Sequence, residues 1–365
     1  MATALPYADT VFKTVDNTMT QHLMSFASAQ EQACVEREKP DYHKRLACLD
    51  AQEQELDELG ELFQRADSTI VENAVQAVFA AENSKQCNSP KGRWEHPAAA
   101  TNSASLSLSR ELIAATGLKR AGKYAEAVQL ADKVVTEVGD REPSLLASAL
   151  FAKGSALVLR GDPNEGERVL LRALDIADAN GNDYLRAQIL VELTYVIGFE
   201  QWRGQEGLRW GRMAEHALER VGGDEPLSFR LAIGISGSHY VVGNEERSLE
   251  IGEQTLDRAR RLYGDEHLLT AFFLSATGGD YANLGEPAQG LPFHEEAIAI
   301  GTKLVGDRHP EVAMYRNNLG ASLTGLGRTE EAREQFETAR SIWKASGSRA
   351  KEALALSNLL SLIHI

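Results

Sequence analysis

Hydrophobic and polar residues alternate with a helical period over most of the chain. In residues 42–66 the apolar side chains recur every three or four positions, which places them on one side of a helix: Leu46, Leu49, Leu56, Leu59, Leu62 and Phe63. The pattern predicts helices over residues 7–38, 42–66 and 68–82. Residues 83–104 are rich in polar residues, Pro and Gly, and we interpret them as a linker.

A Gly-Asp or Gly-Asn-Asp sequence marks the chain at regular intervals. Its glycines recur with steps of 41 or 42 residues: Gly139, Gly181, Gly223, Gly264 and Gly306, with a further glycine, Gly347, at the next step. A glycine just past the end of a helix can take the left-handed conformation, and an Asp after it can cap the next helix. The recurrence therefore predicts that one helix ends and another begins at each marker.

A second marker lies inside each interval, at Gly122, Gly161, Trp202, Gly243, Gly285 and Gly327. Residues at three fixed distances from it are small in nearly every interval: Ala115, Gly154, Gly278 and Gly320 before the marker, Ala127, Gly166, Gly207, Gly290 and Ala332 after it, and Ala173, Ala214, Ala297 and Ala339 further on. A glycine inside a helix costs roughly 1 kcal/mol relative to alanine. Several such glycines need a compensating contact, so we predict close packing of paired antiparallel helices.

This pattern resembles the tetratricopeptide repeat, whose small residues occupy the same three positions. The best matches are NNLGASLTGLGRTEEAREQFETA (317–339) and LFAKGSALVLRGDPNEGERVLLRAL (150–174). The resemblance covers residues 105–361, as six repeats and one further helix, and implies an all-α, right-handed superhelical solenoid of stacked helix pairs. We therefore predict three regions: an N-terminal helical hairpin region (1–82), the linker (83–104) and this solenoid.

The third repeat departs from the pattern. Tyr195 and Trp202 stand where the other repeats carry small residues. We therefore expect a distorted turn between the two helices of this repeat.

A narrower resemblance involves the first hundred residues. The segments PYADT, ACVERE and RLACLDAQEQELDELGELFQRADSTIVENAVQAV, followed by the repeats, resemble the C-terminal portion of large bacterial serine/threonine protein kinases of the eukaryotic type. In that family a kinase domain precedes this region, often followed by a membrane span. The resemblance implies a non-catalytic protein-protein interaction scaffold, the sensory or partner-recruiting part of a bacterial signalling kinase.

The kinase domain itself is missing from the sequence. The chain contains no GxGxxGxV, VAIK, HRD or DFG motif, so we assign no catalytic residue and expect no cofactor. Two alternatives remain open. The chain is a fragment of a kinase whose catalytic domain lies outside it, or it is the repeat module of a transcriptional regulator.

Composition and charge exclude some partners. The formal net charge of −15 argues against binding nucleic acid, because a basic face is needed to meet the phosphates. The sequence has no run of 18 apolar residues, so we expect no membrane span within it. We also find no signal peptide in MATALPYADTVFK. We predict a cytoplasmic protein, or one on the extracytoplasmic side of the membrane if it belongs to a membrane-anchored kinase.

Two short motifs are near matches to ligand sites. GLKRAGKY (117–124) approaches a phosphate-binding loop, but it lacks the Ser or Thr after Lys123, and we interpret it as the turn of the first repeat. FHEEA (293–297) lacks the second His of a zinc-protease helix, so we expect no metal. His267 and His309 recur 42 residues apart, which suggests a capping or packing role.

The repeat register also suggests a binding groove. The first helix of each repeat lines the inner wall of such a solenoid, and from this register we expect the wall to include Phe151, Ser155, Glu192, Arg230, Tyr240, Phe272, Asn283 and Asn317. A mixed aromatic and amide groove suits a protein or peptide ligand in an extended or helical conformation. Simple packing between helices is the competing explanation for each residue.

The cysteines suggest one possible crosslink. Cys34 and Cys48 lie at similar distances from the turn KPDY (39–42), so facing helices could bring them together as a disulfide. Two reduced cysteines are the alternative.

The C-terminal helix is apolar. The sequence ALALSNLLSLIHI (353–365) has no polar capping helix after it. Since repeat arrays need a polar outer face, either a capping helix has been lost or the chain self-associates through this helix.

Overall fold

A computed structural model of the protein describes residues 5–39, 42–81, 87 and 103–362. Most of the predicted linker, 83–104, lies outside the described residues. Every regular element in the described part of the chain is a helix, which confirms the all-α prediction.

The N-terminal region contains three helices. They are α1 (Ala8–Val35), α2 (Tyr42–Gln64) and α3 (Ser68–Phe79), and each ends two or three residues before its predicted end. Helix α3 begins where Asp67 accepts a hydrogen bond from the Ile70 backbone N–H, as an N-cap residue does.

Paired helices make up the rest of the chain. The first helices of the pairs are α4 (Ser103–Arg120), α6 (Pro143–Arg160), α8 (Asp183–Tyr195), α10 (Glu225–Val241), α12 (Leu268–Asn283) and α14 (Pro310–Gly325), followed by the last helix, α16 (Arg349–Ser361). The second helices are α5 (Tyr124–Val138), α7 (Pro163–Ala179), α9 (Gly204–Arg220), α11 (Glu245–Tyr263), α13 (Pro287–Val305) and α15 (Thr329–Ala345).

The chain divides into two compact units. One is Val15–Val241, and the other combines the described residues of Met1–Thr14 with those of Val242–Ile365. The first unit has a continuous apolar core that runs from Leu112 to Leu231. In the second unit, Trp343 is fully buried and its indole N–H donates to the Pro310 carbonyl at 3.1 Å.

The glycine markers lie at helix ends, as predicted. Every glycine of both series has a positive φ, between 53° and 100°, a region that favours residues without a Cβ. The expectation that the following Asp caps the next helix holds for Asp224, which accepts from the Leu227 N–H at 2.8 Å. Helices α8, α12 and α14 are capped by Asn182, His267 and His309 instead.

The small residues predicted to pack between paired helices are all buried. Their backbones approach very closely: a Cβ on Gly166 would lie 3.1 Å from the Gly154 carbonyl oxygen, and one on Gly290 would lie 2.4 Å from that of Gly278. Gly320 instead faces the ring of Phe336. The lower helix propensity of these glycines is therefore offset by close packing of the paired helix backbones, which a side chain would prevent.

The third repeat contains the expected distortion. Helix α8 runs into a π-helical turn, Val196–Glu200, and Trp202 follows with φ +56°, the one residue other than glycine with positive φ in the described part of the chain. Gly198 meets Gly207 in this repeat, three residues after Tyr195, which the regular spacing had placed there.

The start of the chain packs within the second unit. The Tyr7 ring lies edge-on against the His309 ring, 4.8 Å between centroids, and the Thr14 hydroxyl donates to the Leu304 carbonyl at 2.6 Å. One repeat earlier, His267 stacks on Tyr263 from its own repeat. Val305 occupies the position of Tyr263 in the later repeat, so Tyr7 supplies the missing ring there.

The disulfide differs from the expectation. Cys48 is bonded to Cys87, with 5.7 Å between their Cα atoms, and Cys34 is a free, exposed thiol. The expected Cys34–Cys48 bond is therefore wrong. The two bonded cysteines lie in a small apolar cluster with Phe26, Ala29 and Ala33 of α1, so the bond links α2 to the segment after α3.

Candidate functional site

A charged pair joins two neighbouring first helices of the unit Val15–Val241. Glu192 on α8 accepts two hydrogen bonds from Arg230 on α10: Nε donates to Oε2 at 2.7 Å and Nη2 to Oε1 at 2.9 Å. The carboxylate is buried, while 43% of the Arg230 side chain is exposed. The sequence had placed both residues on the same face, and the structure brings them into contact.

The pair holds the guanidinium in a fixed position. A buried carboxylate is costly unless it is paired, so Glu192 restrains Arg230, and this attraction raises the pKa of Arg230. Arg230 Nη1 has no hydrogen-bond partner among the described residues. The arrangement therefore presents a fixed, charged donor that can bind a carbonyl or carboxylate oxygen of a ligand.

Phe151 and Lys119 extend this face along α6 and α4. The Lys119 ammonium lies 5.8 Å from the centroid of the half-buried Phe151 ring, within the range of a cation–π contact. Burial lowers the pKa of Lys119, and the negative charge of Glu192 partly opposes that effect. We define Lys119, Phe151, Glu192 and Arg230 as the first-helix face.

Tyr240 lies near the end of α10 beside aromatic residues from the π-helical turn. Its ring is 6.1 Å from that of Trp202, in an edge-on arrangement. The Phe199 ring lies over Gly237, where a Cβ would be 2.7 Å from it, and packs 5.8 Å from Tyr195. The aromatic surface at this position is therefore larger than Tyr240 alone.

Ser155 and Glu192 differ from what we expected of groove residues. Ser155 is 1% exposed, and its hydroxyl donates to the Phe151 carbonyl, so it does not line an accessible surface. Glu192 is 2% exposed and reaches a ligand only through Arg230. Both are buried because the first helices pack against helices on more than one side.

The second unit contains the other three expected groove residues. Phe272 is 38% exposed and lies edge-on to Phe273, and Asn283 is exposed at the end of α12. Asn317 is buried, and its side-chain oxygen accepts from Asn358 at 2.9 Å. Asn317 therefore connects α14 to α16 through a hydrogen bond and does not form part of an accessible surface.

Sequence reasoning missed two residues at these surfaces, Lys119 and Phe199. Both lie three positions before the second marker of their repeats, at residues 122 and 202, as the expected groove residue Tyr240 does before residue 243. Reading that register across repeats would have grouped Phe199 with Tyr240. The left-handed Trp202 was visible in the sequence only as a departure from glycine.

The nucleotide and metal motifs are structural. The stretch GLKRAGKY joins the end of α4 to the start of α5, and Gly122 is its left-handed turn residue. His294 of FHEEA is fully buried, 3.0 Å from the Ser322 hydroxyl, and burial lowers its pKa to about 4. The part of the chain that the structure describes brings together no three His, Cys, Asp or Glu side chains that could hold a metal ion.

No helix within residues 5–39, 42–81 and 103–362 is both long and apolar enough to cross a bilayer.

Comparison with known proteins identifies the repeat. Residues 274–345 match the tetratricopeptide repeat family, so this part of the chain consists of tetratricopeptide repeats. No curated protein matches the sequence.

Two solved structures share the arrangement of helices. NprR in complex with its cognate peptide NprX is 16% identical, with a TM-score of 0.53, and the alignment covers 86% of this chain and 87% of that one. The STAND signal transduction ATPase PH0952 from Pyrococcus horikoshii, which has a tetratricopeptide repeat sensor, is 16% identical with a TM-score of 0.51. That alignment covers 72% of this chain and 44% of the ATPase. Such likeness shows the fold: stacked helical repeats.

Proposed function

We propose that this protein is a non-catalytic scaffold that binds a peptide segment of a partner protein on its first-helix face. The observation that carries the proposal is the Glu192–Arg230 pair. A buried carboxylate holds a half-exposed guanidinium whose Nη1 donors are unused among the described residues. Because the guanidinium is already held in place, its side chain loses little entropy when a ligand binds.

The chemistry around Arg230 favours a peptide. A peptide offers a backbone carbonyl for Nη1 and side chains for the aromatic surface at Phe151. The similar NprR structure holds a peptide, NprX, on a fold of the same kind, which supports this class of ligand. The face offers no arrangement of nucleophile and base, so we propose binding without catalysis.

We further propose that the chain serves a signalling kinase. The proposal is supported by the resemblance of the N-terminal segments and the repeats to the C-terminal portion of bacterial serine/threonine kinases. An in-frame HRD and DFG motif upstream of Met1 in the gene would make the chain part of such a kinase. An upstream DNA-binding domain would favour the regulator alternative.

The disulfide bears on the compartment. Disulfides persist mainly in oxidising compartments, so the Cys48–Cys87 bond supports the extracytoplasmic alternative over the cytoplasmic one. Mass spectrometry of protein purified from its native cells, with free thiols alkylated at lysis, tests this proposal. Recovery of Cys48 and Cys87 in the alkylated form would favour the cytoplasmic compartment.

Self-association through the C-terminal helix has one supporting observation. Leu354 and Leu360 of α16 are 43% and 59% exposed. A dimer through this helix should become a monomer in Leu354→Glu, measured as molar mass by light scattering. A wild-type monomer at all concentrations would contradict it.

The binding face is tested with peptides selected from a random 12-residue display library on the full chain. We expect Arg230→Lys and Phe151→Leu each to weaken the selected peptides by about tenfold, because the first loses the fixed planar donor and the second an aromatic contact. The matched control is Met213→Ser, an exposed apolar residue on the second helix α9. Equal affinity for all four proteins would refute the face, and ATP hydrolysis by the purified chain would contradict the absence of catalysis.

A further inference from the structure

Trp202 occupies a position that glycine fills elsewhere. The equivalent turn residues of the other repeats are Gly122, Gly161, Gly243, Gly285 and Gly327, all with φ between 70° and 100°. Trp202 has φ +56°, a conformation in which the Cβ crowds the backbone. A backbone strain of this kind persists only where something else in the protein requires the residue.

Core packing does not supply that requirement. The Trp202 side chain is 66% exposed, and its ring contact is the edge-on one with Tyr240. A glycine at this position would remove the strain without leaving a cavity. The large exposed ring is therefore the reason why the protein keeps a tryptophan at this strained position.

The π-helical turn places further rings beside Trp202. Phe199 is 37% exposed and seated on Gly237, and Tyr240 follows Gly237 by three residues on the same side of α10. Tyr195 packs against Phe199 at 5.8 Å. We define Tyr195, Phe199, Trp202 and Tyr240 as the aromatic patch.

Three charged residues act on Tyr195 of the patch: Glu200, Glu192 and Arg230, of which Glu192 and Arg230 pair with each other. The Tyr195 hydroxyl donates to Glu200 Oε1 at 2.5 Å, and Glu200 Oε2 has no partner among the described residues. The nearby guanidinium of Arg203 is fully engaged, by Glu206 through Nε and Nη2 and by Glu167 and Gln201 through Nη1. With Arg203 engaged and the charge of Arg230 balanced by Glu192, Glu200 is the carboxylate of this segment that remains open to a ligand.

We propose that the aromatic patch binds a positively charged side chain, arginine or lysine, of a partner protein. The ring faces carry negative charge density and attract cations, and Glu200 Oε2 provides an acceptor for the bound group. The net charge of −15 steers basic partners towards the chain. This site goes beyond the proposed function and does not rest on it, since no residue of the patch belongs to the first-helix face.

The test follows the indole N–H signals of the full chain by NMR. The protein has four tryptophans, and the signal missing from Trp202→Gly identifies Trp202. The probes are acetyl-Gly-Gly-Arg-Gly-Gly-amide and the same peptide with citrulline, which has nearly the shape of arginine without its charge. We expect a saturable shift of the Trp202 signal with the arginine peptide and about tenfold weaker binding of the citrulline peptide.

Three variants sharpen the test. Trp202→Gly, in which binding is measured by isothermal titration calorimetry because the Trp202 signal is absent, should no longer bind the arginine peptide. Its thermal midpoint should be unchanged or higher, since the substitution restores the residue that the turn favours. Glu200→Gln should weaken binding by about threefold to tenfold. Met213→Ser, an exposed apolar residue outside the patch, should leave it unchanged.

Several results would overturn the proposal. They are a Trp202 signal that does not move, equal shifts with arginine and citrulline, or undiminished arginine binding to Trp202→Gly. Weaker binding of the display-selected peptides to Arg230→Lys would not affect this proposal. The tests of the first-helix face and of the aromatic patch can therefore fail independently.

Discussion

Gly278 and Gly290 lie on the facing helices α12 and α13 with almost no space between their backbones. A Cβ on Gly290 would lie 2.4 Å from the Gly278 carbonyl oxygen and 3.3 Å from its Cα. These are backbone atoms, so they cannot rotate away as a side chain would. The absence of a side chain at this residue fixes the distance between the helices.

Replacement of Gly290 by alanine should therefore destabilise the protein. We expect a loss of about 2 kcal/mol in the free energy of unfolding, because overpacking outweighs the gain in helix propensity. Gly279→Ala is the matched control, since a Cβ there has nothing within 4 Å. It should stabilise by about 0.5–1 kcal/mol. Urea unfolding followed by circular dichroism measures both, and changes of the same sign would contradict this account.

His294 makes stability depend on pH. Burial lowers its pKa to about 4 from the ordinary 6.5, so the folded protein keeps it neutral where the unfolded chain binds a proton. Its contribution is therefore complete above pH 6.5 and is lost as the pH falls towards 4. The same register position holds Leu170 and Phe336 in other repeats, so an apolar side chain fits there.

His294→Leu should flatten the pH dependence of unfolding. Between pH 6.5 and 4, the variant should lose roughly 3 kcal/mol less than the wild type, from the difference between the two pKa values. Two other groups change the stability over this pH range equally in both proteins. His267, with a pKa also lowered to about 4, destabilises the fold as the pH falls, and Asp280, whose pKa burial raises to about 6, stabilises it. The exposed His216→Gln is the control. Parallel wild-type and His294→Leu profiles would refute this role.

Between elements, the pair Glu192–Arg230 joins α8 and α10 by two charged hydrogen bonds. Arg230→Met would leave the Glu192 carboxylate buried without a partner. We expect a loss of about 2 kcal/mol, less than for a fully buried pair because Arg230 is half-exposed.

The double variant distinguishes the stability that the ion pair itself provides from the cost of leaving Glu192 charged and unpaired. Glu192→Met with Arg230→Met should lie within about 1 kcal/mol of the wild type, since a paired charge and an apolar contact are often equally stable. Denaturant unfolding of the four proteins forms a double-mutant cycle. Simple additivity of the two single losses would show that the residues do not stabilise each other.

The Cys48–Cys87 bond joins α2 to a residue 39 positions further on. Closing a loop of that length restricts the unfolded chain, so reduction should lower the free energy of unfolding by up to about 4 kcal/mol. Alkylation without reduction should label Cys34 alone, and Cys34→Ser should leave stability unchanged. Labelling of all three cysteines before reduction would contradict the bond.

The sequence predicted the repeats because their packing requires small residues at fixed positions. It could not predict that Gly198, and not Tyr195, meets Gly207, because regular spacing between repeats does not reveal where the irregular π-helical turn lies. Cys87 was missed because it lies in a polar segment without periodicity. The burial of Ser155 depends on neighbouring helices, which no single repeat encodes.

At the scale of the whole molecule, the two compact units use the same repeat geometry but offer different surfaces. The unit Val15–Val241 carries charge and exposed rings, at Arg230 and Trp202. The second unit carries the exposed ring of Phe272 and a hydrogen bond from the Asn358 side-chain amide to that of Asn317. This difference supports a scaffold in which all repeats share one way of packing, while a few exposed residues of particular repeats bind the partner.

The central claim is that the first helices near Arg230 hold a peptide. Hydrogen–deuterium exchange of the full chain, with and without a display-selected peptide, tests it most directly. We predict slower exchange in α6, α8 and α10, with unchanged exchange in the second helices α7 and α9. Slower exchange confined to the second helices, or none in α8 and α10 at saturating peptide, would contradict the account.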